Sequence, residues 1–152
     1  MEQIVALDIG EKRVGIAISD TLGLGIRPYK TVLKAELIKT LETLMKEYNL
    51  IKLVIGLPKH KDGNKSEQTL KVENFTELLK ERFSNLDICF EDEILTSSAA
   101  KERLLDMGVL LTEKNKGLID MHAAAIILEQ YFTHHSIRAC SQTNEFKAEE
   151  DE

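Results

Sequence analysis

The chain has 152 residues, of which 43% are hydrophobic and 30% charged, and this size and composition are typical of one globular domain. No apolar run approaches the roughly 20 residues that a membrane span requires, and the N-terminus lacks the layout of a signal peptide. The only cysteines, Cys89 and Cys140, are too few for a disulfide framework and indicate a reducing compartment. We therefore expect a cytoplasmic protein without a membrane partner.

The net charge of −6 is unevenly distributed. The last nine residues, "NEFKAEEDE", contain five acids and one lysine, a net charge of −4, which leaves only −2 on the rest of the chain. An acidic segment with few aromatic residues is typical of disordered chain. We expect a folded domain over residues 1–133 and a disordered, dispensable tail over residues 134–152. The overall charge neither indicates nor excludes a polyanionic partner.

Hydrophobic periodicity predicts nine elements in the folded part. Strands are predicted at residues 4–9, 14–19, 27–34, 51–56 and 86–93, and helices at 37–48, 72–83, 96–107 and from about 119 onward. Three strands followed by alternating helices and strands predict an α/β fold. We expect a five-stranded mixed sheet, made of an antiparallel three-strand meander plus two parallel strands, flanked by helices.

Asp8 interrupts the apolar run that begins "IVALDIGEKRVGIAISD". A carboxylate inside a sheet is costly unless it is hydrogen-bonded, paired or bound to a cation. One interpretation is that Asp8 hydrogen-bonds the backbone two residues ahead and stabilises the turn at Gly10. The other is that Asp8 belongs to an acidic site, and this requires further carboxylates nearby.

Two further acids are predicted to meet Asp8. Glu93 ends the fifth strand, at the edge of the sheet where ligands of α/β folds collect. If the fourth strand lies beside the first and the fifth beside the fourth, Glu93 is about two strand spacings, roughly 10 Å, from Asp8. Asp120 opens the last helix, where the helix dipole alone could explain it. However, Ala124 and Ile127 follow on the same apolar stripe, so Asp120 is expected to face the sheet.

Three convergent carboxylates without a histidine or cysteine cluster suit a hard cation such as Mg²⁺ or Mn²⁺. Two such ions about 4 Å apart can activate a water molecule and stabilise the leaving oxygen of a phosphodiester. The residue types and their expected placement therefore predict a nuclease with a two-metal-type mechanism.

Four segments, "ALDIGEKRVGIAISD", "VIGLPKHKDG", "EDEILTS" and "KGLIDMHAAAIILEQY", resemble in order the successive blocks of the YqgF-type family. These proteins are described as nucleases that process pre-16S rRNA and, earlier, as Holliday junction resolvases. The resemblance runs from about residue 3 to residue 132. It implies a ribonuclease H-like fold and assigns metal binding to Asp8, Glu93 and Asp120. One departure is Ile94, which stands where the family usually has arginine.

Basic residues near these motifs are candidates for contacts with a nucleic-acid backbone. Lys12 and Arg13 occupy the first turn, the loop after Pro58 is locally basic, and further lysines precede Asp120. The predicted substrate-binding residues are Lys12, Arg13, Lys59, Lys61 and Lys116. His122 is excluded from the predicted site because a helix neighbour two residues from Asp120 points elsewhere.

The expected function is cleavage of phosphodiester bonds at the 5′ end of pre-16S rRNA, by a monomer or weak homodimer. Two alternatives stay open at this point. The protein could cut branched DNA as a Holliday junction resolvase, or it could be a non-catalytic nucleic-acid-binding module of the same fold. An actin-like ATPase also carries Asp-x-Gly in its first hairpin, but it needs two related domains and this chain has one.

Overall fold

The structure is a computed structural model that describes residues 2–58, 66–93 and 96–150, with side chains described up to His135. The strands are β1 (Glu2–Ile9), β2 (Arg13–Asp20), β3 (Arg27–Leu33), β4 (Asn49–Pro58) and β5 (Asp87–Glu93). The helices are α1 (Leu37–Glu47), α2 (Glu67–Arg82), α3 (Thr96–Asp106) and α4 (Lys116–Glu150). A short 3₁₀ turn, Glu113–Asn115, leads into α4.

The five strands form one mixed sheet in the order β3-β2-β1-β4-β5. The first three strands pair antiparallel, whereas β4 runs parallel to both β1 and β5. The predicted α/β class, the antiparallel meander and the two added parallel strands are therefore confirmed. Strand β1 is central, and its carboxyl end lies beside that of β4.

Local sequence signals account for the helix boundaries. In α1, Leu37, Leu41 and Leu44 recur on one face and are buried against the sheet. Ser66 caps α2, because its side chain accepts a hydrogen bond of 3.1 Å from the backbone N–H of Thr69. Beyond α3, Gly108 adopts a φ of 83°, the left-handed conformation that commonly ends a helix.

The two faces of the sheet carry side chains of different size. The face covered by α1 and α2 is lined by large residues, among them Leu7, Ile16, Leu41, Leu53 and Leu79. The face covered by α4 is lined largely by small ones, including Ala6, Ala17 and Val54 on the strands and Ala124 and Ala125 on the helix. Small side chains on both surfaces let the backbone of α4 lie close to the strands.

The first turns of α4 differ from the sequence-based prediction. The helix begins at Lys116, so Asp120 is its fifth residue and lies in the second turn. The prediction that Asp120 opens the helix was wrong, and the helix dipole accounts less well for an acid at this depth. The stripe below Asp120 does face the sheet as expected, because Ala124, Ile127 and Tyr131 are buried against it.

Gly15 of β2 is the point of closest approach between α4 and the sheet. A Cβ atom at Gly15 would lie 2.0 Å from the carbonyl oxygen of Asp120, a backbone atom that cannot move independently of its helix. The absence of a side chain at this position therefore sets the height of α4 above β2.

Gly15→Ala should reduce the free energy of unfolding by about 3 kcal/mol or more, because the helix backbone has to move to admit the methyl group. Gly117→Ala is the matched control, because Gly117 lies in α4, the helix that packs on Gly15. Its Cβ would meet Thr31 at an ordinary 3.5 Å, and alanine favours the helix by up to about 1 kcal/mol. Urea denaturation measures both changes, and equal effects would contradict the proposed backbone contact.

The C-terminal part of α4 overlaps the tail predicted over residues 134–152. The helical backbone continues to Glu150, and the ring of His134 contacts the buried carboxylate of Glu91 on β5. Contacts with the body therefore extend at least one residue beyond the boundary expected at 133. Side chains from residue 136 onward lie outside those described, so the disordered tail stays a prediction. No helix in the described part of the chain is both long and apolar enough to cross a membrane.

We expect deletion of residues 136–152, with His134 kept, to leave the melting temperature within a few degrees of the full chain. The deleted segment offers few apolar side chains to offset the entropy lost on ordering. Thermal unfolding followed by circular dichroism measures the difference. A loss of cooperative unfolding would show that this segment packs on the domain.

Candidate active site

Asp8 lies on the face of the sheet that α4 covers, between two glycines on the neighbouring strands. On one side it pairs directly with Gly15 of β2. On the other side, Leu7 pairs with Ile55, so the next position of β4, Gly56, lies beside Asp8. Both neighbours of Asp8 on this face therefore lack side chains, so groups from other elements can lie close to the sheet on either side of Asp8.

The two other predicted acids approach these glycines, and Ile127 of α4 also lies over Gly56, with its Cδ1 2.4 Å from where a Cβ would be. A Cβ at Gly56 would lie 3.3 Å from Oε2 of Glu93, so the Glu93 carboxylate leans back from the end of β5 over β4. The backbone of Asp120 lies directly over Gly15. Asp8, Glu93 and Asp120 are thus brought together from β1, β5 and α4, as the sequence analysis predicted.

The hydrogen bonds of the first turn argue against the alternative role of Asp8. The backbone N–H of Gly10, which a turn-forming Asp8 would need, instead donates to the carbonyl oxygen of Arg13 at 2.9 Å. Within residues 2–58, 66–93 and 96–135 no hydrogen bond involves the Asp8 carboxylate. The turn closes through its own backbone, and Asp8 is left for another role.

Burial and like charges strongly perturb Asp8. Burial, followed by the negative charges of Glu93 and Asp120, raises the pKa of Asp8 from 3.8 to about 8. Part of the residue nevertheless stays accessible to solvent. A cation bound beside the carboxylate would offset both causes of the raised pKa.

Glu93 and Asp120 each have a partner that fixes the carboxylate. The hydroxyl of Thr96, the first residue of α3, donates to Oε1 of Glu93. Arg13 Nε donates to Oδ2 of Asp120 at 2.8 Å. Neither contact was predicted from the sequence, which gave Thr96 no role at the site and made Arg13 a candidate contact with the nucleic-acid backbone. A hydroxyl three residues after Glu93 was the one available signal for the first contact.

The predicted basic residues have different surroundings. Lys12 is exposed on the turn and, with Gly10, Glu11, Arg13 and Asp120, lines a cleft of about 220 Å³ beside the acids. Lys116 pairs with Glu113 at 2.9 Å. Lys59 and Lys61 lie outside the described residues, as does Ile94.

His122 is perturbed by surroundings of its own. Burial, together with the nearby positive charge of Arg103 on α3, lowers the pKa of His122. Its exclusion from the acidic site stays a prediction.

The acids fit a hard cation by chemistry and surroundings. Their donors are all carboxylate oxygens, which Mg²⁺ and Mn²⁺ prefer, and one of them, Asp120, lines the cleft of about 220 Å³ beside the first turn. Among the described residues no three acid, histidine or cysteine side chains are already close enough to hold a metal ion as they stand. Arg13, bonded to Asp120, provides positive charge in this arrangement.

The raised pKa of Asp8 predicts the pH dependence of stability without metal. As the pH rises from 3.8 to about 8, Asp8 keeps its proton in the native state but loses it in the unfolded state. The native state then binds more protons, so Asp8 lowers the free energy of unfolding by up to about 1.4 kcal/mol per pH unit.

Asp8→Asn should remove this contribution and flatten the pH profile measured by urea denaturation in EDTA. The reference is Asp92→Asn, which changes the exposed acid next to Glu93. If Asp8→Asn and Asp92→Asn gave the same profile as the wild type, Asp8 would not be the perturbed acid.

Comparison with solved structures defines the class of fold. The structure superposes on *Thermus thermophilus* RuvC in complex with a Holliday junction with a TM-score of 0.50 and 14% identity, covering 90% of this chain and 96% of RuvC. The fowlpox virus Holliday junction resolvase gives a TM-score of 0.51 and 16% identity, covering 88% and 98%. These similarities show the ribonuclease H-like fold that the sequence motifs implied.

The chain belongs to the RuvX family, also called YqgF. The model of this family, described as "Holliday junction resolvase", matches residues 2–134. A *Clostridioides difficile* relative is 41% identical over 132 residues, covering 85% of this chain and 92% of the relative. A *Bacteroides thetaiotaomicron* relative is 38% identical, covering 86% and 96%. Both are named "Putative pre-16S rRNA nuclease", and the resemblance drawn from the four motifs is confirmed.

Proposed function

We propose that this protein is a divalent-cation-dependent nuclease that cleaves phosphodiester bonds at the 5′ end of precursor 16S rRNA. The observation that carries the proposal is the meeting of Asp8, Glu93 and Asp120; burial, followed by the negative charges of the other two acids, raises the pKa of Asp8 to about 8. A group of acids with one so strongly perturbed member is typical of a functional site. The names of the relatives support ribosomal RNA as the substrate.

In this proposal the three acids bind the cation, and neighbouring side chains orient two of them. Asp8, Glu93 and Asp120 would hold Mg²⁺ or Mn²⁺, which when bound supplies an activated water molecule and stabilises the leaving oxygen. Thr96 restricts the orientation of Glu93, and Arg13 restricts that of Asp120. Such supporting contacts matter because a ligand that is not oriented loses affinity for its ion.

The surroundings of the acids suit recognition of a backbone. Lys12 and Arg13 line the cleft beside Asp120 and supply positive charge for a phosphate. Lys59, Lys61 and Lys116 remain proposed contacts. Aromatic residues make up 5% of the chain and tryptophan is absent, so few side chains are available to stack on unpaired bases. Shape and phosphate contacts are therefore proposed to dominate recognition.

Branched DNA is the second candidate substrate. It is supported by the description of the matching family as a Holliday junction resolvase. The solved resolvases share only the fold at their low identity, and one fold can serve several substrates. Direct competition between RNA and junction DNA therefore decides between the two. We also propose that the protein acts in the cytoplasm as a monomer or weak homodimer.

The test of the function is cleavage of three substrates in Mn²⁺: a 5′-extended ribosomal RNA precursor, an unstructured single-stranded RNA and a four-way DNA junction. We expect the precursor to be cut fastest. Asp8→Asn should reduce the rate by at least about 10³-fold, as should Glu93→Gln, because the acids act as one unit. The double substitution should cost no more than either single one.

Asp92→Asn is the control for this test, since it removes a neighbouring acid that is exposed on β5. It should retain the wild-type rate. Preferential cutting of the junction would favour the DNA alternative. If the wild type cuts none of the substrates in Mg²⁺ or Mn²⁺ but binds them, the protein is a non-catalytic module and the proposed function is wrong.

A further inference from the structure

Arg13 is the basic residue in direct contact with the acidic site. It is the first residue of β2 and its Nε bonds Asp120, a residue 107 positions away in the sequence, at 2.8 Å. The side chain of Arg13 is 41% exposed and that of Asp120 is 22% exposed. The pair therefore lies at the mouth of the site, where solvent and an incoming ligand can reach it.

The contact uses one edge of the guanidinium and leaves the other available. A guanidinium carries five N–H donors, and Nε supplies only one of them. Within the described part of the chain, no side chain or carbonyl accepts a hydrogen bond from the two terminal amino groups of Arg13. Arg13 also lines the 220 Å³ cleft. Its unused donors are the kind that bind a phosphate bidentately.

The acids near this cleft each have a basic partner. Glu11 lies 3.6 Å from the ammonium group of Lys71, which it shares with Glu67, and Glu113 pairs with Lys116. The ion pair with Lys116 and, more weakly, Arg13 lower the pKa of Glu113, which places that acid near the same cleft. Lys12 makes no ion pair with the described residues. The cleft therefore offers an anion one unpaired lysine and the free edge of Arg13.

We propose that Arg13 is a positioning residue with two simultaneous contacts: its Nε holds the carboxylate of Asp120, and its terminal amino groups bind a phosphate of the nucleic-acid substrate. A single planar side chain would thus align the backbone to be cut with one of the acids of the site. This rests on the proposed nuclease function and extends it by linking substrate position to the orientation of Asp120.

Lysine could not replace arginine in this role. Its ammonium group is a point charge, whereas the guanidinium holds donors on two edges in fixed relative positions. The pair itself is partly exposed, and exposed ion pairs contribute roughly 0–1 kcal/mol to stability. Arg13→Lys is therefore expected to fold normally, and changes in binding can be assigned to the lost geometry.

The experiment measures two affinities separately for the wild type and Arg13→Lys. Mn²⁺ binding is measured by calorimetry without nucleic acid. Binding of a short fluorescein-labelled single-stranded RNA is measured by anisotropy in EDTA, so that no cleavage occurs. We expect Arg13→Lys to weaken Mn²⁺ binding by about tenfold and RNA binding by about tenfold. Arg13→Gln should also reduce the salt dependence of RNA binding by about 0.7 in log–log slope, the value for one lost phosphate contact.

Arg82→Lys is the matched control, because Arg82 also pairs with a glutamate, Glu42, but on the surface between α1 and α2. It should change neither affinity. If Arg13→Lys weakened only RNA binding, Arg13 would bind phosphate without supporting Asp120. If Arg13→Lys weakened only Mn²⁺ binding, Arg13 would support Asp120 without binding phosphate. Either result overturns the dual role. Failure of the wild type to bind Mn²⁺ or RNA would overturn the proposed function as well, and the wild-type measurements show this independently of Arg13.

Discussion

The close contact between α4 and the sheet is the constraint on which the acidic site depends. Gly15 lets the backbone of Asp120 lie directly over β2, and Gly15 is also the residue that pairs with Asp8. Small apolar residues along the same helix and strands extend this contact over several turns. Burial of that surface is favourable, and it holds Asp120 near Asp8 although their charges repel.

The electrostatic design of the site is asymmetric. The outer acids each accept a hydrogen bond, Glu93 from Thr96 and Asp120 from Arg13. Asp8, the central acid, has none among the described residues, and its pKa rises to about 8. The unfavourable burial and repulsion of the site therefore act mainly on Asp8, and either a proton or a bound cation would relieve them. A buried acid retained at this cost is expected where it serves a function.

Much of the fold and the identity of the three acids could be predicted from the sequence. Apolar periodicity determines the strands and helices locally, and the parallel order of β1, β4 and β5 then places Asp8 and Glu93 at one edge. The contacts of Arg13 with Asp120 and of Gly15 with α4 could not be predicted. Each joins residues about 100 positions apart, so it depends on how the helix packs and not on local pattern. The start of α4 was misplaced because Gly117, a poor helix former, lies in its first turn, so the apolar pattern indicated a helix only from Ile119 onward.

The central claim is that Asp8 is kept at a cost to stability because it binds a divalent cation. The most direct measurement compares the melting temperatures of the wild type and Asp8→Asn, each in EDTA and in saturating Mn²⁺. In EDTA at pH 8, Asp8→Asn is predicted to be the more stable protein, since it removes a charge that burial and two neighbouring acids oppose. In Mn²⁺ the order should reverse, because binding to the native state stabilises only the wild type appreciably. Lower stability of Asp8→Asn in EDTA, with no stabilisation of the wild type by Mn²⁺, would show that Asp8 has a structural role and would contradict the claim.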